Sequence, residues 1–312
     1  MSHSSSTPRV PLVSVLMTAY NREAYIAQSI DSVLRSTLDD LELVVVDNCS
    51  SDRTVAIARD YRLRDARVRV FQNESNIGDF PNRNRAAGHA LGAYLKYVDS
   101  DDLIYPHGLE VMVRCMEAFP EAGLGLSSVP DTRGPCPLVL SSAAAYREHF
   151  FHADLLSRAP GSAIIRRSAF QAVGGFSGRR YIGDVELWLK LASRFAVVKM
   201  PTDLLWDRQH AGQEQHTQDR VEWIAMREDE EIAALRAEEC PLSETERDAA
   251  LARVSSKRAR NYWLFLRGKG GIQLAGRYRR RASLATGAIA RFAWKRLRPD
   301  SRTSPSQSTS EP

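Results

Sequence analysis

Three aspartates lie close together in the segment Asp99-Ser100-Asp101-Asp102, directly after the apolar residues 94–98. Carboxylates at this spacing repel one another, so they require a counter-ion. A divalent cation held by one or two carboxylates and by diphosphate oxygens is the usual arrangement for Mg²⁺ or Mn²⁺ beside a nucleotide. The same side chains could instead cap the following helix and bind nothing, and the local sequence leaves both interpretations open.

Two further residues, Asp184 and His210, have side chains that could take part in chemistry. Asp184 precedes an apolar helical pattern, where a carboxylate is most often a helix cap. It could also be a general base that accepts the proton of an attacking hydroxyl group. His210 lies in a polar stretch; a lone histidine is usually a surface residue, although a neutral imidazole also binds metal ions. From the local sequence alone, the structural interpretation is favoured for both residues.

The segments that must position these residues alternate between strand and helix patterns. Apolar, β-branched runs predict strands at residues 13–17, 41–46, 68–71 and 94–98. Apolar residues at helical spacing predict helices at residues 24–34, 55–62 and 83–91. This order is typical of an α/β domain in which helices flank a mostly parallel sheet.

Polar clusters directly follow the four predicted strands, at residues 18–21, 47–50, 73–78 and 99–102. Parallel sheets bind ligands at the carboxyl ends of their strands, because loops collect polar side chains there. We therefore expect these four clusters to converge on one crevice.

The rest of the chain has weaker patterns. Residues 123–139 are rich in Gly, Pro and Ser and predict a long loop, whereas residues 185–195 predict a helix. Residues 228–255 predict one solvated helix, because Glu and Arg dominate them. The polar residues 1–9 and 299–312 predict a disordered leader and a disordered tail.

Composition excludes several classes of protein. The four cysteines form no CxxC pair, which argues against a structural zinc site and a disulfide framework and favours reduced thiols. No apolar stretch reaches the roughly 18 residues that a membrane-spanning helix needs. Residues 251–298 contain fourteen Lys or Arg and no acidic residue, so the rest of the chain carries about −9 although the whole carries +5. Such a basic arm usually meets nucleic acid or phospholipid.

Six segments, in this order along the chain, resemble the family 2 inverting glycosyltransferases. They are Val13-Ser-Val-Leu-Met-Thr-Ala-Tyr-Asn21, Leu43-Val-Val-Val-Asp-Asn-Cys-Ser-Ser-Asp52, Asn76-Ile-Gly78 with Arg83-Asn84, Tyr94-Leu-Lys-Tyr-Val-Asp-Ser-Asp-Asp102, Arg167-Ser-Ala-Phe170 with Gly174-Gly-Phe176, and Asp184-Val-Glu-Leu-Trp188. The resemblance covers about residues 10–215. It implies an α/β fold of the GT-A type, with a nucleotide-binding domain over residues 10–225 and a helical basic extension over residues 226–298.

The resemblance also implies a role for each matching residue. The nucleotide would contact Thr18, Ala19, Tyr20, Asn21, Asp47, Asn76, Gly78, Arg83, Asp99 and Ser100. A divalent metal ion, Mn²⁺ or Mg²⁺, would be bound by Asp99, Asp101 and His210, with Asp101 the direct ligand and Asp99 closer to the ribose. Asp184 would be the catalytic base.

The sequence departs from the family pattern at two places. The family often has two acidic residues where this chain has Asp47-Asn48, and Glu-Asp where it has Gly183-Asp184. The aspartate that matters is kept in each pair, so activity is expected. The Gln-x-x-Arg-Trp signature of processive polysaccharide synthases is absent, which favours addition of a single sugar. The resemblance thus implies metal-dependent, inverting transfer from a nucleoside-diphosphate sugar, with UDP as the default nucleotide, to a lipid-linked or other glycan acceptor.

The basic segment has apolar residues at helical spacing, namely Tyr278, Ala282, Ala285, Ile289 and Phe292. With arginines around them, they predict an amphipathic helix that lies in the plane of an anionic membrane. Because the implied acceptors are lipid-linked, we expect residues 271–298 to bind the inner face of a membrane, which makes the enzyme cytoplasmic and peripheral. The alternatives are a helix packed on the catalytic domain with a solvated charged face, and nucleic-acid binding without a recognisable module.

Two other classes of protein share parts of this pattern. Sugar-phosphate nucleotidyltransferases have a Gly-rich loop with Arg and Lys after the first strand, and Thr18-Ala-Tyr-Asn21 lacks it. A non-catalytic, membrane-peripheral protein that binds nucleotide sugars or acts as a scaffold stays open as an alternative. A turnover assay separates this alternative from the enzyme.

Overall fold

A computed structural model describes residues 10–127, 134–210 and 219–297, so the predicted leader and tail lie outside the described residues. The strands are β1 (Val13–Ala19), β2 (Leu41–Asp47), β3 (Val68–Gln72), β4 (Tyr94–Tyr97), β5 (Leu103–Ile104), β6 (Ala122–Ser127), β7 (Leu138–Leu140), β8 (Ala163–Arg166), β9 (Ala196–Met200) and β10 (Leu205–Trp206). The helices are α1 (Ile26–Leu34), α2 (Thr54–Arg64), α3 (Asp79–Gly88), α4 (Gly108–Glu117), α5 (Ser142–Arg147), α6 (Arg167–Ala172), α7 (Gly183–Arg194), α8 (Arg220–Arg236), α9 (Glu244–Arg267), α10 (Gly271–Arg281) and α11 (Thr286–Leu297). The predicted α/β class is confirmed.

Eight strands form one sheet in the order β3-β2-β1-β4-β8-β6-β9-β7. Strands β1 to β4 run parallel to one another, and β6 runs parallel to β9. The antiparallel pairings are those of β8 with β4 and β6 and of β7 with β9, so the predicted mostly parallel sheet is confirmed. All seven residues of β2 are buried, as expected for a strand covered on both faces.

Each face of the sheet has its own apolar core. One core joins strand residues such as Val15 to helices α1, α2 and α4, through side chains that include Ile30 and Met112. The other core joins strand residues such as Leu124 to helices α3, α5 and α7, with the fully buried Trp188 near its centre. The two cores hold the carboxyl ends of β1, β2, β3 and β4 at the same edge of the sheet.

The prediction of a long loop over residues 123–139 is wrong at both ends, where β6 and β7 overlap the stretch, and residues 128–133 between them lie outside the described residues. Tight packing around β6 explains why it is rich in glycine. A Cβ atom at Gly123 would lie 2.7 Å from the Phe195 side chain, and one at Gly125 would lie 2.8 Å from the Met116 sulfur. Glycine marks a close approach of neighbours to this strand rather than a loop.

The prediction of one solvated helix over residues 228–255 is also wrong. Helix α8 ends before Pro241, and α9 begins at a capping box in which Ser243 and Glu246 bond to each other's backbone N–H groups. Three glutamates of α8 are buried: Glu228, Glu230 and Glu231. The predicted boundary between the nucleotide-binding domain and the basic extension, at residue 225, lies within α8.

The basic extension differs from the predicted in-plane amphipathic helix. Helix α10 ends at Arg281 and α11 begins at Thr286, so the helical pattern is interrupted. Tyr278, Ala282 and Ile289 are buried in a third core with residues of α8 and α9. The burial of these three side chains agrees with the alternative interpretation, in which the helix packs against the rest of the protein. No helix in the described parts of the chain is long and apolar enough to cross a membrane.

We predict that Gly92→Ala lowers the free energy of unfolding by about 1–3 kcal/mol through overpacking. Gly92 lies just before β4, and a Cβ atom there would be 2.5 Å from the Ser14 backbone nitrogen, which cannot rotate away. Urea denaturation measures the effect. The control is Gly88→Ala at the end of α3, where no atom lies within 4 Å of the added methyl group. Equal losses in the two variants would contradict this account of β4.

Candidate active site

The loops that follow the first three strands bond to one another at the carboxyl edge of the sheet. The backbone N–H of Asn21 donates to the Ser50 hydroxyl at 2.9 Å, which links the β1 and β2 loops. The Asn48 side chain donates to the Asn76 oxygen at 2.9 Å, which links the β2 and β3 loops. These bonds bring three of the four predicted polar clusters together.

Asn48 is the centre of an amide network that shapes the β3–α3 loop. Its Nδ2 group donates to the side chain of Asn76 and, at 3.3 Å, to the Gly78 carbonyl. Its Oδ1 atom accepts from Asn73 at 2.8 Å and from the Ile77 backbone at 3.0 Å. Only an amide both donates and accepts in this way, so a carboxylate at position 48 would lose two of these bonds.

The residues expected to contact a nucleoside line the same edge. Thr18 and Ala19 end β1, and the Tyr20 side chain after them is 45% exposed. Asn21 has a positive φ of 53°. Asp47 is buried, and its carboxylate accepts from the backbone N–H of Ser50 at 3.0 Å and from the Ser50 hydroxyl.

Arg83 of α3 is buried between two carboxylates. Its Nη1 atom lies 2.8 Å from Asp99 Oδ1, and its Nε–H donates to Asp79 at 3.0 Å. Burial alone would lower the pKa of Arg83, but Asp79 and Asp99 raise it well above its ordinary value. The Tyr97 hydroxyl donates to the Arg83 carbonyl at 3.1 Å. Helix α3 is thereby tied to the acidic loop after β4.

Asp101 contacts a different set of residues. Its Oδ2 atom accepts from Arg22 Nε at 2.9 Å and lies 3.0 Å from His210 Nε2. The Asp101 carbonyl accepts from Arg208 Nε at 2.8 Å. One carboxylate and one imidazole side by side suit Mn²⁺ or Mg²⁺ whose remaining ligands are diphosphate oxygens and water. Asp99 pairs with Arg83 instead.

A buried cluster underlies the acidic loop. The Lys96 side chain of β4 is fully buried and donates to the Gly161 carbonyl, and burial lowers the pKa of Lys96 to about 7. Burial, followed by the neighbouring Asp99, raises the pKa of Asp102 to about 8. Asp102 Oδ1 also accepts from the backbone N–H of Arg208 at 3.0 Å. These bonds join β4, the Gly161 loop and the segment after β10.

Asp184 lies in a cleft of about 110 Å³ beside this loop. The cleft is lined by Asp79, Phe80, Arg83, Pro160, Arg180, Tyr181 and Asp184. Asp184 is in the first turn of α7, and burial raises its pKa to about 6. Its Oδ1 atom accepts from the adjacent Val185 backbone at 2.8 Å. Because Arg83 both lines this cleft and pairs with Asp99, the predicted base and the acidic loop share one wall.

Residues 14–174 match the model of glycosyl transferase family 2, which is just over half of the chain. The chain belongs to this family. EpsE, a provisionally assigned glycosyltransferase of Bacillus subtilis (strain 168), is 30% identical over 198 residues, which cover 58% of this chain and 66% of EpsE. In the first three curated relatives that match, the aligned part covers between 27% and 66% of the relative's own length.

Solved structures share the GT-A type fold of this family 2 chain. S. aureus TarS 1–349, crystallised with UDP-GlcNAc, has a TM-score of 0.65 at 20% identity, covering 89% of this chain and 83% of TarS. The mannosyltransferase PcManGT from Pyrobaculum calidifontis, in complex with GDP-Man and Mn²⁺, has a TM-score of 0.59 at 19% identity. That match covers 93% of this chain and 80% of PcManGT.

Within the described parts of this family 2 chain, the one group of three metal-ligand side chains is not among the residues that line the cleft. His149, Asp154 and Glu231 place ligand atoms within 4.8 Å of one another. Arg227 pairs with both carboxylates, and Lys257 Nζ donates to Glu231 at 2.9 Å. Burial lowers the pKa of His149 to about 4. The carboxylates already have cationic partners, so the group is a structural ion-pair network.

Sequence reasoning missed five site residues: Arg22, Lys96, Arg180, Tyr181 and Arg208. Arg22 directly follows residues 18–21, which were predicted to contact the nucleotide, and Arg208 lies two residues before His210, so proximity to a recognised motif was an available signal. Lys96 interrupts an apolar strand, and a charge at such a position is itself a signal, because buried lysines are rare. Arg180 and Tyr181 lie four and three residues before Asp184, so proximity to a recognised residue was again the available signal, and the fold places both in the wall of the Asp184 cleft.

We predict that Asn48→Asp lowers the free energy of unfolding by about 1–3 kcal/mol, because a carboxylate cannot donate to Asn76 and Gly78. Urea denaturation measures this loss. The matched control is Gln171→Glu, an exposed amide-to-acid change on α6 that should leave stability unchanged. An unchanged midpoint for Asn48→Asp would show that the amide network does not hold the loop.

Proposed function

We propose that this chain is an inverting glycosyltransferase that moves one sugar from a nucleoside-diphosphate donor to a hydroxyl group of a glycan or lipid-linked acceptor. The observation that carries this proposal is the shared wall formed by Arg83 between Asp99 and Asp184. Displacement at an anomeric carbon needs a donor site and a base on adjacent sides of one cleft. Family membership supports the same class of reaction.

The donor nucleotide would lie across the loops after β1, β2 and β4. The exposed Tyr20 ring and the buried Asp47 carboxylate offer a stacking surface and a hydrogen-bond acceptor for a base. UDP is our first choice, supported by the fold shared with TarS, whose structure holds UDP-GlcNAc. GDP is the second choice, because PcManGT holds GDP-Man.

Asp101 and His210 would hold a divalent metal ion, Mn²⁺ or Mg²⁺. An ion held by these two residues would supply positive charge to offset the negative charge that develops on a departing diphosphate. Arg22 lies against the same carboxylate oxygen and adds a fixed positive charge at this point. The leaving group is therefore expected on the Asp101 side of Arg83.

Asp184 would accept the proton of the acceptor hydroxyl on the other side. Its raised pKa of about 6 makes it a stronger base than an ordinary aspartate, yet most of it is ionised at neutral pH. As the proton moves to Asp184, the hydroxyl oxygen bonds to the anomeric carbon and the bond to the diphosphate breaks. Attack from the face opposite the leaving group inverts the anomeric configuration, without a covalent enzyme intermediate.

We predict that one nucleoside diphosphate binds only in the presence of Mn²⁺, and that Asp101→Ala abolishes this Mn²⁺-dependent binding. The variant removes the carboxylate that contacts both Arg22 and His210. Calorimetric titration with UDP, GDP and dTDP, with and without Mn²⁺, measures the effect. The control is Asp248→Ala, which changes an exposed aspartate of α9. Binding that ignores both the metal ion and the Asp101 variant would contradict the proposed donor site.

We predict that kcat/KM falls about tenfold for each pH unit below the Asp184 pKa of about 6, because the base is then protonated. Asp184→Asn should lower kcat by about 10²- to 10⁴-fold and flatten this acidic limb. Nucleotide affinity of the variant should equal that of the parent, which separates catalysis from binding. Nucleotide binding without turnover of any sugar donor by the parent chain would instead favour the non-catalytic alternative.

A further inference from the structure

Two apolar side chains are exposed where α9 turns into α10. Leu264 in the last turn of α9 is 59% exposed, and Ile272 in the first turn of α10 is 82% exposed. A short turn of three residues, Gly268-Lys269-Gly270, joins the two helices. Both helices contribute to the third core, so these two side chains point away from an apolar interior that other residues already fill. They form the α9–α10 tip.

Two exposed cations, Arg267 and Lys269, lie at the α9–α10 tip, and three more lie about one to two helical turns behind its apolar side chains: Arg260, Arg279 and Arg280. In the part of the chain that the structure describes, none of the five forms a salt bridge with a carboxylate. Other cations of the same extension do have partners on or beside α8. Arg258 and Arg281 both pair with Asp229, and Arg277 pairs with Asp219. The tip and the helix turns behind it therefore carry positive charge without carboxylate partners; among the described side chains of the extension, the exposed Arg253 and Arg291 also have no carboxylate partner.

Along each of the two helices, the exposed apolar side chain lies nearer to the α9–α10 turn than the cation does. At a rise of about 1.5 Å per residue, Arg260 lies about 6 Å behind Leu264, and Arg279 lies about 10 Å behind Ile272. Lys269 is in the turn itself. Insertion of apolar side chains by about 5–10 Å into the headgroup region would bring cations at these distances level with lipid phosphates.

We infer that the α9–α10 tip docks on an anionic phospholipid bilayer. Exposed Leu and Ile side chains gain free energy by leaving water for the acyl boundary, and the cations without carboxylate partners match the negative lipid surface. The phosphates of a nucleic acid would also bind the cations, but the exposed side chains of Leu264 and Ile272 would add little to that binding. The docking surface differs from the helix face expected from the sequence, because Tyr278 and Ile289 on that face are buried.

Co-sedimentation with phospholipid vesicles tests this inference on the full chain. The parent protein should bind vesicles that contain phosphatidylglycerol, bind pure phosphatidylcholine vesicles weakly, and lose affinity as salt rises. The variant Leu264→Gln/Ile272→Gln should lower the partition coefficient about tenfold. Arg267→Gln/Lys269→Gln should lower it at least tenfold.

Helix α2 offers matched controls, because Leu63 is 85% exposed and lies between the exposed Arg62 and Arg64. Leu63→Gln and Arg62→Gln/Arg64→Gln should leave vesicle binding unchanged. Thermal unfolding checks that every variant is folded.

Equal binding to neutral and anionic vesicles, no binding, or equal losses in the tip and α2 variants would overturn the inference. A DNA duplex that competes with vesicles and binds Leu264→Gln/Ile272→Gln as tightly as the parent would assign the surface to nucleic acid instead. Vesicle binding does not require glycosyl transfer, so failure of this inference leaves the proposed function standing, and the reverse also holds.

Discussion

Arg83 is a buried cation, and its position constrains most of the site. A buried guanidinium is stable only if carboxylates surround it, and removal of one partner from such a pair costs about 3–5 kcal/mol. Asp79, one helical turn away, and Asp99, from the loop after β4, supply these partners. The guanidinium also lies 5.5 Å from the centre of the Tyr97 ring. Helix α3, strand β4 and the cleft that contains Asp184 are thus fixed to one another by a single side chain.

The charges around the acidic loop are arranged so that the carboxylates hold distinct positions. Asp99 faces Arg83, whereas Asp101 faces Arg22 and His210. Asp102 accepts a backbone hydrogen bond from Arg208, and burial raises its pKa to about 8. Each aspartate of the motif therefore has a different electrostatic environment. The Asp101 carboxylate is suited to a metal ion, whereas Asp102 supports the loop.

The sequence predicted the first half of the domain well, because apolar runs there coincide with strands and polar residues with the loops after them. Residues whose partners are distant in sequence could not be predicted. Arg22 meets Asp101 across 79 residues, and Lys96 meets Gly161 across 65. Strand β6 was missed because its glycines are set by what packs against them. A local pattern gives the conformation of a segment but not the neighbours that cover it.

The basic extension shows the same distinction between pattern and neighbours. The sequence does not show which of its cations have carboxylate partners or which of its apolar residues are buried. In the fold, Glu228 of α8 accepts from the Tyr278 hydroxyl at 2.5 Å, and Asp229 pairs with both Arg258 and Arg281. Carboxylates outside the basic segment thus decide which of its cations stay uncompensated. The surface that remains is defined by α8 as much as by the basic helices, so charge content alone could not have located it.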